Sequence, residues 1–152
     1  DLADLRIDTS HTVVHGLRDI VRDRIALRKD AEFSILFLSF GFKHGIPREA
    51  DYVFDVRCLP NPHWDSNLRR YTGKDEPVIN FLSTQPMVED MLNQLQEFLS
   101  YWIPKFEADN RSYLCVALGC TGGHHRSVYL VEQLAAHFIE QNKNVLINHR
   151  DL

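Results

Sequence analysis

"SYLCVALGCTGGHHRS", residues 112 to 127, decides how the chain folds. Its first half, 112 to 119, is a nearly continuous apolar run of strand length, as expected of a strand covered on both faces in a parallel sheet. Its second half is glycine-rich, and past it Val128, Val131, Leu134, Ala135 and Phe138 recur at helical spacing. A strand that passes through glycines into a helix is where α/β proteins often bind phosphate. Gly122 and Gly123 permit close backbone approach, and the following helix points free N–H groups and its positive dipole end at the same spot. Thr121 and Ser127 add hydroxyls, and Arg126 adds a planar fork suited to phosphate oxygens. The loop is not a Walker loop, because Gly-x-x-x-x-Gly-Lys-Ser/Thr is absent.

Outward from this centre the same alternation continues. "FSILFLSF" (33–40) and "DYVFDV" (51–56) read as further strands, joined by "GFKHGIPREA" as a loop with one helical turn. From Cys58 to Ser83 prolines and Gly73 interrupt any period, which predicts a long loop, ordered by Trp64, Tyr71 and Phe81. Val88, Met91, Leu92, Leu95, Phe98, Leu99, Trp102 and Phe106 mark a core-facing helix from Pro86 to about Ala108, so Met91 and Trp102 read as packing residues. "NVLINH" (144–149) reads as a last strand. The expected fold is a layered α/β unit with a mainly parallel sheet, flanking helices and a phosphate-binding strand-loop-helix. Residues 1–30 read differently: a basic amphipathic helix capped by Asp8, Thr9 or Ser10, carrying Arg18, Arg22, Arg24, Arg28 and Lys29 beside Asp19 and Asp23. That segment looks like the end of a preceding domain and its connecting helix, with one domain over 31–152.

Composition narrows the class. The 152 residues, 44% hydrophobic, suffice for one core, and a net charge of −4 gives no whole-chain argument for nucleic acid or acidic membranes. Any such binding needs a local basic patch. Three cysteines with no regular spacing, Cys58, Cys115 and Cys120, fit a reduced cytoplasmic protein better than a disulfide scaffold, and no zinc pattern is evident. No apolar run is long enough to span a bilayer. A soluble, cytoplasmic protein with no metal and no membrane partner is the expectation.

In a parallel sheet the ligand crevice lies beyond the carboxyl ends of the strands. Three segments fall there: 41–45, 55–64 and 119–127. Within the last, Cys120, five residues and then Arg126 and Ser127 reproduce the spacing of cysteine-dependent phosphatases. In that reading Cys120 is a nucleophile, Arg126 clamps phosphate, and Asp55 or Asp65 is the acid. In the other, Cys120 packs into the sheet as Cys115 does. Asp55, Arg57 and His63 are likewise open: Asp55 and Arg57 pair to hold a loop and His63 lies on the surface, or Asp55 accepts from an amine or hydroxyls while His63 helps hold phosphate. The second combination suits an amino-sugar phosphate. Lys43, His44, Lys143 and Lys29 are ordinary surface residues on composition alone.

"FLSFGFKHGIPREADYVFDVRCLPNPHW", "RYTGKDEPV" and "GCTGGHHRSVYLVEQLA" together resemble the C-terminal domain of the RapZ family of RNase adapters, a nucleotide-binding and RNA-binding family of bacteria. The likeness covers roughly residues 30 to 150, and the first thirty resemble the end of that family's N-terminal P-loop domain. The resemblance implies a non-enzymatic adapter that binds small regulatory RNA, presents it to ribonuclease E and senses glucosamine-6-phosphate, so controlling amino-sugar synthesis. It implies a sugar-phosphate site at Asp55, His63, Thr121, Gly122, Gly123, His125 and Arg126. It implies RNA contacts at Lys43, Arg126 and Lys143 and on a basic C-terminal tail, of which "HRDL" retains little. No cofactor is implied for this domain, since ATP or GTP belongs to the N-terminal domain; a homo-oligomer is implied. A cationic rim of Lys43, Arg57, Arg126 and Lys143 is then expected around the pocket, with metabolite and RNA phosphates competing for Arg126.

Overall fold

The computed structural model describes residues 32–152. The expected helix within residues 1–30 lies outside them. The first apolar run forms β1 (Ser34–Gly41), with all eight residues buried. β2 (Tyr52–Asp55), β3 (Tyr113–Cys120) and β4 (Asn144–His149) complete a four-stranded, all-parallel sheet in the order β2-β3-β1-β4. Side chains alternate between two apolar layers, as a pleated strand requires. Ile35 and Phe37 join Leu114, Val116 and Leu118 in the larger cluster, whereas Leu36, Leu38 and Phe40 join Cys115, Ala117 and Leu146 in a smaller one.

Three α-helices feed the larger layer: α1 (Glu76–Ser83), α2 (Pro86–Ala108) and α3 (Arg126–Glu140). From α2 come Val88, Leu95, Leu99 and Ile103, and from α3 Leu130, Val131, Leu134 and Phe138. The layered α/β fold read from the sequence is the fold observed.

One correction concerns the expected loop from Cys58 to Ser83. It contains a 3₁₀ turn at Pro62–Trp64 and the whole of α1. Pro77 read as punctuation, but it stands in the first turn of α1, where a missing N–H costs nothing. Val78 and Leu82, four apart, then reach the core. No helix among the described residues is long and apolar enough to cross a membrane.

Candidate functional site

The register of the sheet brings the three strand-end segments together. Gly41 lies opposite Cys120, and Asp55 lies opposite Gly119. Past these positions the Lys43 N–H donates to the Thr121 carbonyl at 3.2 Å and the Val56 N–H to the Gly119 carbonyl at 2.9 Å. The Gly73 N–H donates to the His124 carbonyl at 2.8 Å, so the segment before α1 folds over the same loop. Glycine is required by contact as well as by conformation. A Cβ on Gly41 would meet the Gly122 carbonyl carbon at 2.4 Å, and Gly123 has φ of +77° with the Gly41 nitrogen 2.6 Å from where its Cβ would stand.

Arg126 begins α3 and is only 4% exposed. Its Nη1 donates to the carbonyls of Arg57 at 2.7 Å and Leu59 at 2.9 Å, and its Nη2 reaches Thr121 Oγ1 at 3.4 Å. The guanidinium therefore ties the loop after β2 to the glycine loop. Its Nε is buried without a hydrogen-bond partner, and so is Nε2 of His125, which is 8% exposed. Buried polar groups in this state are uncommon, because each forfeits its hydration without recompense. The His63 ring lies 6.4 Å from the His125 ring, centre to centre. The Lys43 ammonium is 3.7 Å from where a Cβ on Gly122 would stand. Burial lowers the His125 pKa, and the neighbouring His124, His63 and Arg126 charges lower it further against a hydrogen bond to the Tyr71 backbone.

Asp55 takes the simpler of its two predicted arrangements. Arg57 Nε and Nη2 grip both carboxylate oxygens, with Nη2 to Oδ2 at 2.7 Å, and hold this carboxyl below its usual range. The Arg57 guanidinium also lies 4.0 Å over the Phe42 ring. Asp55, Arg57, Lys43, His63, Thr121, Gly122, Gly123, His125 and Arg126 thus stand around one strand-end loop. Lys143 does not. It precedes β4, whose first residue Asn144 is opposite Ser34, and it pairs with Glu107 at 2.8 Å. The expected rim consequently lacks Lys143, which lies at the other end of the sheet.

Strand register also settles where Cys120 points. As the last residue of β3 it shares the face of Leu114, Val116 and Leu118, toward α3. Its Sγ lies 3.1 Å from Ser127 Oγ and accepts the Gly123 N–H at 3.3 Å. Burial raises this thiol, but the bonds from Ser127 and Gly123 and the charge of Arg126 outweigh it, so the pKa falls below the usual value. Cys115, on the opposite face, is pushed up to about 12 by burial and by the nearby Glu49 and Asp51.

Two contributors escaped the sequence reading. Asp151 Oδ2 accepts the Gly41 N–H at 2.7 Å, while Arg150 Nη2 donates to the Gly45 carbonyl at 2.7 Å. Ser39 Oγ, His149 and Glu132 form a chain of contacts beside them, each 2.7 Å long. Arg150 and Asp151 follow the last strand directly, so the strand-end rule that singled out the other segments applies to them equally.

Residues 33–152 match the family model described as the RapZ C-terminal domain. The RNase adapter protein RapZ of Yersinia enterocolitica is 55% identical over 150 residues, which cover 99% of this chain and 53% of that protein. A nucleotide-binding protein of Methylobacillus flagellatus is 56% identical over 97% of this chain and 52% of its own length. Another, of Marinobacter nauticus, is 52% identical over 99% of this chain and 51% of its own. The chain spans about half the length of these relatives. It belongs to the RapZ C-terminal domain family.

Proposed function

We propose that this domain is the sensing and RNA-handling part of a cytoplasmic RNase adapter. Its strand-end pocket takes glucosamine-6-phosphate, and the domain binds small regulatory RNA and presents it to ribonuclease E. The observation that carries the reading is the pair of buried atoms without partners, Arg126 Nε and His125 Nε2, beside a glycine loop flanked by Lys43 and Asp55. A phosphate supplies acceptor oxygens for Arg126, for Lys43 and for the N–H groups of the loop. Asp55, at the rim and held ionised by Arg57, accepts from the sugar's ammonium or hydroxyls. Thr121 and His63 complete the set. The name of the Yersinia relative, an RNase adapter, supports the RNA half of the reading. Arg126 is turned inward, which favours the pocket ligand as its partner and leaves RNA to more exposed cations such as Lys43. Nucleotide binding, named in other relatives, is assigned to the N-terminal P-loop domain that precedes this one in the family, and assembly into a homo-oligomer goes with the same reading.

Isothermal titration with glucosamine-6-phosphate, against inorganic phosphate and glucosamine as controls, tests the sensor. Saturable binding well above both controls supports it. Equal binding of phosphate reduces the loop to a generic anion site.

A second reading, cysteine-dependent phosphatase, is favoured by the direction of Cys120 Sγ and its lowered pKa. It is the weaker reading, because Asp55, held ionised by Arg57, is a poor proton donor and the Cys120 thiol is buried. Cys120→Ser separates the two: it abolishes turnover by a phosphatase and leaves ligand binding by a sensor nearly unchanged.

A further inference from the structure

Trp64 is 80% exposed, more than any other large hydrophobic residue among those described. Its ring makes no aromatic or cation–π contact with another described residue. Exposing an indole this fully forgoes the energy of burying it, so the position calls for an explanation. The backbone that presents it is fixed. Asn61 caps the turn by accepting the His63 N–H at 3.1 Å, the Trp64 N–H donates to the Asn61 carbonyl at 3.2 Å, and Arg69 Nε donates to the His63 carbonyl at 2.7 Å.

The surroundings are polar and carry three cations. From residue 60 to residue 76 the chain has Arg69, Arg70 and Lys74 beside Asp65, Asp75 and Glu76, of which Asp75 is taken up by the Thr72 N–H at 2.7 Å. All three cations are exposed. Arg70 lies 4.8 Å over the Tyr71 ring and donates to the Tyr71 hydroxyl at 2.7 Å. These two residues line an open cleft of about 400 Å³ with Ser66, Asn67, Leu68 and Pro77. The patch adjoins the glycine loop through His63, which precedes Trp64 and stands beside His125, and through Gly73.

We propose that Trp64, with Arg69, Arg70, Tyr71 and Lys74, is a stacking platform for single-stranded RNA, one base lying on the free indole face and the cations tracking the backbone phosphates. The proposal rests on the RNA reading above and names a surface for it. A flat π-face free on its exposed side suits an unstacked base. Charge complementarity favours RNA over a protein partner. A protein hot spot built on tryptophan needs apolar neighbours that exclude water, whereas Asp65, Ser66, Asn67, Arg69 and Arg70 are polar and exposed.

The test is fluorescence anisotropy of a labelled single-stranded oligoribonucleotide of about twelve nucleotides, within the usual site-size range. Wild type, Trp64→Ala, Trp64→Phe and Arg70→Ala are titrated at several salt concentrations. Trp64→Ala should weaken binding about tenfold, at the scale of one lost stack, with Trp64→Phe recovering most of it and the salt slope unchanged. Arg70→Ala should reduce the salt slope by about one phosphate's worth. Unaltered glucosamine-6-phosphate binding by Trp64→Ala shows that the variant is folded. If wild type binds RNA and Trp64→Ala binds it equally well, the platform is wrong while the RNA reading stands. That result combined with lost binding of ribonuclease E makes the patch a protein contact. If wild type binds no RNA, the RNA reading itself is wrong and the platform falls with it.

Discussion

Arg126 Nη1 donates to the Leu59 carbonyl at 2.9 Å, across 67 residues of chain, and so joins the first turn of α3 to the loop after β2. The same group bonds the Arg57 carbonyl, whose side chain in turn fixes Asp55. One arginine therefore holds two walls of the pocket at their present separation. Arg126→Ala leaves the buried Leu59 carbonyl and the part-buried Arg57 carbonyl without this donor and should cost about 2–4 kcal/mol in urea unfolding, given about 1.5–3 kcal/mol for a hydrogen bond to a charged group. Arg126→Lys keeps the charge but loses the planar fork, so it should recover part of the stability and little of the ligand affinity. Equal affinities for wild type and Arg126→Lys would remove Arg126 from the site.

Three glycines make a sharper separation between folding and binding. Gly41→Ala and Gly123→Ala drive a methyl into backbone at 2.4 and 2.6 Å, and Gly123 adds a positive φ. Each should destabilise by at least about 1–3 kcal/mol, the usual cost of overpacking. Gly122→Ala meets nothing closer than 3.7 Å, where the Lys43 side chain begins. Its unfolding midpoint should stay close to wild type while the methyl occupies space beside the Lys43 ammonium. Loss of glucosamine-6-phosphate binding in a stably folded Gly122→Ala protein is the expected calorimetric outcome; retained binding would place the phosphate elsewhere.

Much of this was legible in the sequence for a simple reason. Continuous apolar runs such as that of β1 and period-four stripes such as that of α2 have few competing interpretations, and parallel strands carry their C-terminal loops to one edge. The direction of Cys120 was not legible, because β3 is apolar on both faces, so its alternation does not say which face lies under α3. α1 was hidden by Pro77, which reads as a breaker out of context and as a first-turn residue in it. The Lys143–Glu107 pair at the far end of the sheet follows from strand order, which no local pattern encodes.

Placement predicts a difference between two lysines. Lys43→Ala should weaken sugar-phosphate binding severalfold, because its ammonium adjoins Gly122. Lys143→Ala, at the opposite end of the sheet, should leave that titration unchanged and lose only a partly exposed ion pair, worth about 0–1 kcal/mol. An effect of Lys143→Ala on the metabolite as large as that of Lys43→Ala would contradict the placement of the pocket.

The thiols should separate by accessibility. Cys58 is exposed, whereas Cys115 and Cys120 are buried. Brief iodoacetamide treatment of native protein near neutral pH, followed by mass spectrometry, should label Cys58 and spare the other two, despite the lowered pKa of Cys120. Rapid labelling of Cys120 would instead reveal an accessible thiolate and strengthen the phosphatase reading.

The last prediction concerns acid. His125 is buried with His63, His124 and Arg126 facing it, and its pKa lies below the usual 6.5. A group with a lowered folded-state pKa binds protons more readily in the unfolded chain. Its contribution to stability is therefore complete above 6.5 and is lost as pH falls from there through the folded value. A phosphate beside the ring reverses the sign locally, because an anion favours the imidazolium. Unliganded protein should lose stability from pH 7 to pH 5 more steeply than His125→Asn. Saturating glucosamine-6-phosphate should flatten the wild-type profile, with proton uptake on binding detected as a dependence of the calorimetric enthalpy on buffer ionisation. Parallel profiles with and without ligand, and no buffer dependence, would mean that His125 does not touch the phosphate.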